Sequence, residues 1–200
     1  MQTPLITLLT DFGEADGYVA QMKGVILGIN PAARIVDISH VVPPQDIRRG
    51  AILLDQVWRA FPPGTLHVAV IDPGVGSQRL PIGVELAGQR FIAPDNGLLS
   101  RLTAQALPDR AHALTETWFR RQPTSHTFHG RDLFAPAAAH WSQGCDLAAF
   151  GPPLAQAICS LPFRLPECTP GEIQGEVEWV DAFGNLVTNI SESLLASTVE

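Results

Sequence analysis

Three aspartates in this 200-residue chain stand directly behind short apolar runs and just ahead of a turn-forming glycine: Asp11 before Phe12-Gly13, Asp72 before Pro73-Gly74 and Asp95 before Asn96-Gly97. Carboxylates so placed can accept hydrogen bonds from ribose or other hydroxyls, hold a metal ion or serve as a base. Asp and Gly also make turns and helix N-caps with no ligand involved. That plain role suffices for any one of them; repetition at three corresponding positions favours a shared site. The loop behind Asp72 runs Pro73-Gly74-Val75-Gly76-Ser77-Gln78-Arg79. It has half of a dinucleotide fingerprint, but Arg79 stands where the third glycine belongs and Pro73 interrupts the strand-to-helix turn. Both argue against a pyrophosphate cradle. The glycines instead let backbone approach a small ligand closely. Arg79 either folds back on Asp72 or lies on the surface.

Thr127-Phe128-His129-Gly130-Arg131-Asp132 opens onto a helical stretch, which exposes and positions His129 unless it is a buried structural histidine. His126, His129 and Asp132 recur every three residues, but such loop spacing is a weak zinc signal. Asp132 reads as an N-cap, and no metal is assigned. Near the end, Asp181-Ala182-Phe183-Gly184-Asn185 sets an aromatic between an acid and an amide. Such groups can stack on a base and read its edge. Spacing alone favours a hairpin whose Phe183 packs inward and whose Gly184-Asn185 makes the turn. No Gly-x-Ser-x-Gly elbow is present and no cysteine stands beside a catalytic-looking histidine, so a Ser or Cys nucleophile has no support.

These residues need a frame. Leu5 to Leu9, Arg34 to Ile38, Leu66 to Ile71 and Arg90 to Ala93 have strand length and end in turn signals. Tyr18, Met22, Val25, Ile26 and Ile29 share a helical face that Pro31 stops. Ile47, Ala51, Leu54, Trp58 and Phe61 share another, closed by Pro62-Pro63-Gly64, and a third helix is expected over Leu133 to Trp141. The alternation implies an α/β domain with a largely parallel sheet. Ligands of such sheets bind at the carboxyl ends of the strands, which gathers the three aspartates on one edge. Prolines 152, 153, 162, 166 and 170 then mark a linker. Residues 1–162 are expected to form the α/β domain, and 163–200 a linker and the start of a β domain, with β segments from Glu172 to Val180 and Leu186 to Ile190.

The balance of 13 Lys+Arg against 20 Asp+Glu, a net charge of −7, argues against nucleic-acid and anionic-membrane partners, which need basic patches. No apolar run reaches the roughly 18 residues of a membrane span, and no secretory signal is visible. Cys145, Cys159 and Cys168 are odd in number and lack C-x-x-C spacing. They read as reduced thiols of a cytoplasmic protein.

The motifs together resemble a known family. Thr7-Leu8-Leu9-Thr10-Asp11-Phe12-Gly13, Asp37-Ile38-Ser39-His40, His67-Val68-Ala69-Val70-Ile71-Asp72-Pro73-Gly74-Val75-Gly76, Ala93-Pro94-Asp95-Asn96-Gly97-Leu98-Leu99, Thr127-Phe128-His129-Gly130-Arg131-Asp132-Leu133-Phe134-Ala135-Pro136 and Asp181-Ala182-Phe183-Gly184-Asn185 with Thr188-Asn189-Ile190 stand in the order found in the S-adenosyl-L-methionine (SAM) hydrolases. These are also called SAM hydroxide adenosyltransferases and are relatives of the fluorinase and chlorinase. The resemblance implies an N-terminal α/β domain and a small C-terminal β-barrel, here incomplete because family members continue past this point. It implies a homotrimer with SAM between the N-terminal domain of one subunit and the C-terminal domain of its neighbour. It implies attack of water or hydroxide at C5′, giving adenosine and L-methionine, with SAM as substrate and neither cofactor nor metal. Asp72, Arg79 and His129 carry over as the water-handling set and Asp11 as the ribose acceptor. Asp181, Phe183 and Asn185 carry over to the adenosyl or methionine end, and Asp95 and Asn96 to substrate binding. The halogenating relatives lack this Arg–His arrangement, so its presence favours water over halide. A SAM-dependent halogenase and a catalytically idle SAM- or adenosine-binding module are the alternatives.

Overall fold

Short apolar runs alternating with amphipathic stretches wind the first half of the chain into β1 (Leu5–Thr10), α1 (Tyr18–Ile29), β2 (Arg34–Ser39), α2 (Ile47–Val57) and β3 (Leu66–Val70). The structure, a computed structural model, describes residues 4–198. The central sheet is completed by β4 (Pro81–Leu86), β5 (Gln89–Pro94) and β6 (Arg110–Ala113) in the order β2-β1-β3-β5-β4-β6. Strands β2, β1, β3 and β5 are mutually parallel, whereas β4 runs antiparallel to both β5 and β6. The sheet is therefore mostly parallel, with an antiparallel extension that the sequence pattern did not announce. The Asp72–Arg79 loop leads into β4 rather than into a helix. Strand β4 turns back onto β5 through Ala87 and Gly88, both at positive φ (50° and 75°), the backbone that a two-residue hairpin loop requires.

Successive side chains of a strand face opposite ways. Ile6 and Leu8 of β1 and Val68 and Val70 of β3 pack with Met22 and Ile26 of α1 and with Phe134, Ala137 and Ala138 in one fully buried cluster. Gly50 of α2 sits so close to Ile71 that a Cβ there would lie 2.7 Å from its Cδ1. Helix α2 proper ends at Val57, and a 3₁₀ turn over Trp58–Ala60 carries the expected face onward. Tyr18, expected on the buried face of α1, is 45% exposed, and Val19 takes the inward place. The third expected helix begins with a π-helical turn, Gly130–Phe134, before α4 (Ala135–Ser142); a short α3 (Ser100–Thr103) follows β5.

The first compact unit ends at Leu161 and a second begins at Pro162. The second contains the antiparallel pairs β7 (Glu167–Thr169) with β8 (Glu172–Gln174) and β9 (Val177–Val180) with β10 (Leu186–Thr188), and helix α5 (Glu192–Thr198). Among the described residues these are two separate two-stranded sheets, not a closed barrel. No helix of the described residues is long and apolar enough to cross a membrane.

His67 of β3 is buried between Thr7 and Gln89. Its Nδ1 lies 2.8 Å from Thr7 Oγ1, its Nε2 lies 2.6 Å from Gln89 Oε1, and its ring stacks on Phe91. Burial lowers its pKa to about 4. The unfolded chain therefore binds the extra proton more readily across that interval. Folding stability should be at full value above about pH 6.5 and fall by about 3 kcal/mol as the pH drops from about 6.5 to about 4, using 1.36 kcal/mol per pKa unit. Urea unfolding across this range should show the slope, and His67→Asn should remove most of it; an unchanged slope in the variant refutes the assignment.

Candidate active site

Strand β1 has β2 on one side and β3 on the other, so the chain crosses over at β1 and opens a crevice at the carboxyl ends of β1 and β3. Thr10 is in register with Val70, which brings Asp11 and Asp72 out of adjacent strands. Asp95 follows β5, the next strand along. At roughly 4.8 Å per strand, the three aspartates span about 10 Å of one sheet edge, as the pattern implied.

Arg79 folds back on Asp72. Its Nε donates to both carboxylate oxygens at 3.0 Å, and its Nη2 makes a further short bond to Oδ2. The two side chains are only 9% and 4% exposed. Arg79 Nη2 also donates to His129 Nδ1 at 2.8 Å, so the neutral imidazole carries its proton on Nε2. The guanidinium lies 5.3 Å from the Phe134 ring centroid. Burial and the Arg79 charge push the His129 pKa below its ordinary value, against a weaker opposing pull from Asp72.

Glycines make the convergence possible. Gly76 takes φ +77°, and a Cβ there would lie 2.6 Å from the carbonyl oxygen of His126. The 125–129 loop thus lies directly on the Asp72 loop. A Cβ on Gly130 would lie 2.9 Å from the Phe12 ring, which brings the helix start against the turn behind Asp11. Phe12, Tyr18 and Phe128 meet edge to face, with centroids 5.2–6.2 Å apart.

The other expected residues divide. Asp11 Oδ2 accepts from Gln45 N–H at 2.7 Å, and Oδ1 has no hydrogen bond among the described residues. Asp95 Oδ1 accepts from Cys159 N–H at 2.8 Å, and burial raises its carboxyl pKa against that bond. The Asn96 amide is committed within the fold: Nδ2 donates to Ile71 O at 2.9 Å and Oδ1 accepts from Leu98 N–H at 3.3 Å. Asp132 is not an N-cap. It is the third residue of the π-turn, 1% exposed, ion-paired with Arg131 and accepting from Ser125 N–H at 2.9 Å. His126, His129 and Asp132 do not converge, and no group of three or more His, Cys, Asp or Glu among the described residues is arranged to hold a metal ion.

In the second unit, Asp181 Oδ1 accepts from Phe183 N–H and Asn185 N–H, and Oδ2 accepts from Asn185 Nδ2 at 2.7 Å. These bonds, the Asn185 amide foremost, lower its pKa. The hairpin is as the spacing suggests, but Phe183 does not pack inward: it is 92% exposed. Sequence reasoning passed over Thr10, His40 and Gln45, which shape the Asp11 turn. Thr10 and His40 stood within the quoted motifs, but nothing in them gave either residue a role.

Fold and site together define an α/β protein with carboxylates gathered at a sheet crossover, beside a largely buried carboxylate–guanidinium pair that meets a half-buried imidazole. Residues 6–151 match the SAM hydroxide adenosyltransferase N-terminal domain, and the chain belongs to that family. It is 42% identical over 197 residues to the (R)-S-adenosyl-L-methionine hydrolase of Salinispora arenicola, an alignment covering 98% of this chain and 75% of that one. It is 28% identical to a fluorinase from Actinoplanes sp., over 94% of this chain and 72% of the relative. The crystal structure of an uncharacterized conserved protein from Thermotoga maritima superposes with a TM-score of 0.94 at 37% identity, covering 98% of this chain and 74% of that one.

The His129–Arg79 contact can be tested by NMR titration. The His129 pKa should lie below the ordinary 6.5, and Arg79→Gln should raise it by removing the neighbouring positive charge while leaving the burial. An identical value in the folded variant contradicts the contact.

Proposed function

We propose that this chain hydrolyses SAM to adenosine and L-methionine, with water or hydroxide attacking C5′ of the adenosyl group. The observation that carries this is the assembly of Asp72, Arg79 and His129 into one hydrogen-bonded group at the sheet crossover, in a chain whose relatives at 36–42% identity are named SAM hydrolases. As the C5′–O bond forms, the C5′–S bond breaks and its electron pair goes to sulfur. The sulfonium leaves as a neutral thioether, so neither a general acid nor a Lewis acid is called for at the leaving group. The protein's task is to orient water in line with the C5′–S bond and to let one proton leave. Arg79 positions the water. Its pairing with Asp72 neutralises the guanidinium and lowers its repulsion of a sulfonium nearby. Asp72 and the neutral His129 hold the guanidinium in place, and the proton released as the C5′–O bond forms passes to solvent.

Asp11 accepts from the ribose hydroxyls, with Asp95 on the same edge and Asn96 contributing by bracing the turn that carries Asp95. Asp181, Phe183 and Asn185 form the opposite wall, supplied by a neighbouring subunit of a homotrimer. The exposed Phe183 ring supports that reading. The two antiparallel pairs are the beginning of a barrel, residues 163–200 belong to that second domain, and the enzyme works in the cytoplasm, in keeping with three free cysteines among the described residues.

Incubation with SAM in ¹⁸O-water should yield adenosine labelled at its 5′ oxygen, together with methionine. 5′-Chloro-5′-deoxyadenosine in chloride buffer would identify a halogenase instead, and binding without turnover an idle module. Asp72→Ala, Arg79→Ala and His129→Ala should each lower turnover by more than about tenfold while SAM still binds, since acid–base assistance contributes about 10²–10⁴-fold; near-normal rates in all three defeat the assignment.

Asp11→Asn exchanges one acceptor oxygen for a donor. Hydrogen bonds to a charged group are worth about 1.5–3 kcal/mol, so SAM affinity should fall about tenfold to a hundredfold. Discrimination against a 2′-deoxy analogue should also weaken. If Asp11 only caps a turn, calorimetric titration will find both quantities unchanged, because Asn caps equally well.

A further inference from the structure

The turn that carries Asp11 is stitched to the connection between β2 and α2. Gly13 N–H donates to His40 O at 2.7 Å, Gln45 N–H donates to Asp11 Oδ2 at 2.7 Å, and Thr10 Oγ1 lies 2.8 Å from His40 Nδ1. Phe12 N–H donates to Thr10 Oγ1 at 3.3 Å. The threonine hydroxyl thus accepts from the turn and shares a second hydrogen bond with His40 Nδ1, whose direction follows the imidazole tautomer. On its far side, Nε2 is 3.0 Å from Asp37 Oδ1 without a well-formed hydrogen bond, and Asp37 Oδ2 pairs with Lys23 Nζ at 2.5 Å.

The inner part of this polar chain is buried: Thr10 is 0% and His40 4% exposed. Placing an imidazole and a hydroxyl there is unfavourable unless their hydrogen bonds are made; an apolar pair would fill the volume without that requirement. Their bonds converge on one object, the backbone from Thr10 to Gly13. Gln45 holds a left-handed φ of 66°, uncommon for a residue with a side chain, and from that conformation its N–H reaches the Asp11 carboxylate.

We propose that His40 is a positioning residue for substrate binding: through Thr10 Oγ1 and its own carbonyl it sets the course of the Asp11–Gly13 turn, so that Asp11 Oδ1 faces the ribose hydroxyls. This rests on the reading of Asp11 given above. His40 touches no reacting atom, so its effect falls on affinity rather than on the chemical step.

The test compares His40→Leu, Thr10→Val, their combination and His40→Asn in KM for SAM, kcat, ribose discrimination and thermal midpoint. His40→Leu and Thr10→Val should each raise KM about fivefold to tenfold, the size of one hydrogen bond's contribution, with kcat within about twofold. The double variant should be no worse than the worse single one, since both break the same link. His40→Asn, whose Oδ1 can take the place of Nδ1 toward Thr10, should restore most of the affinity. A lowered thermal midpoint with unchanged KM in both single variants, or additive KM effects in the double, overturns the proposal. Should His40→Leu fail to fold, Thr10→Val against His40→Asn decides, because Thr10→Val keeps the volume while losing the hydrogen bond and His40→Asn keeps a polar partner for Thr10. Asp11→Asn separates the two readings: without effect on SAM affinity it removes the premise, whereas a loss there with full affinity in Thr10→Val refutes the role of His40 alone.

Discussion

The two-pronged ion pair between Asp72 and Arg79 is the constraint around which the rest of this structure is arranged. Two opposite charges almost withdrawn from water are costly unless their geometry is good and their remaining hydrogen-bonding capacity is used. Both conditions are met: Arg79 Nε spans the two oxygens of Asp72, and Nη2 reaches one of them and the His129 ring. The glycines of the 72–79 loop let the 125–129 segment approach closely at Gly76, and the aromatic ring of Phe134 lies beside the guanidinium, so that the pair is enclosed on these sides.

The pair explains how an arginine can stand where the proposed substrate is itself a cation. A guanidinium matched by a carboxylate has a dipole but no net charge, so it can orient water without a strong field against a sulfonium. His129 extends the same economy of charge. Burial and the neighbouring guanidinium hold it neutral, and its Nδ1 is occupied, so its orientation is defined before any ligand arrives. On the other side of the crevice Asp11 is held by a backbone N–H that comes from a different connection. The site thus rests on four loops in contact with one another rather than on any one element.

Much of this was legible in the residues. The periods of α1 and α2, the turn signals behind β1, β3 and β5, and the collection of Asp11, Asp72 and Asp95 on one edge all follow from patterns spanning a few residues. Strand β4 escaped notice because Pro81 opens it and Gly83 interrupts its apolar pattern. That glycine is demanded by tertiary packing, since a Cβ there would lie 2.6 Å from Leu147. Strand β6, Arg-Ala-His-Ala, is too short and polar to signal itself. The meeting of Arg79 and His129 lies fifty residues apart in sequence and depends on Gly76 accepting the carbonyl of His126, which no local pattern encodes. Asp132 looked like a cap because it precedes an apolar helix; the helical winding in fact begins two residues earlier, at Gly130, and encloses it. Phe183 looked like core because aromatics usually are, but the unit around it leaves that ring outside.

The π-helical turn over Gly130–Phe134 has a consequence for how such a site can be altered. A residue of α-helix advances the phase by about 100°, and a π-turn is the trace of one residue in excess of that winding. Here it stands between His129, which meets Arg79, and α4, whose alanine-rich face serves the core. It therefore acts as a clutch between two angular settings. The core side can keep its packing while the histidine side is dialled to a different azimuth by gaining or losing a single residue. A change of this kind would turn the imidazole while α4 keeps its register against the core.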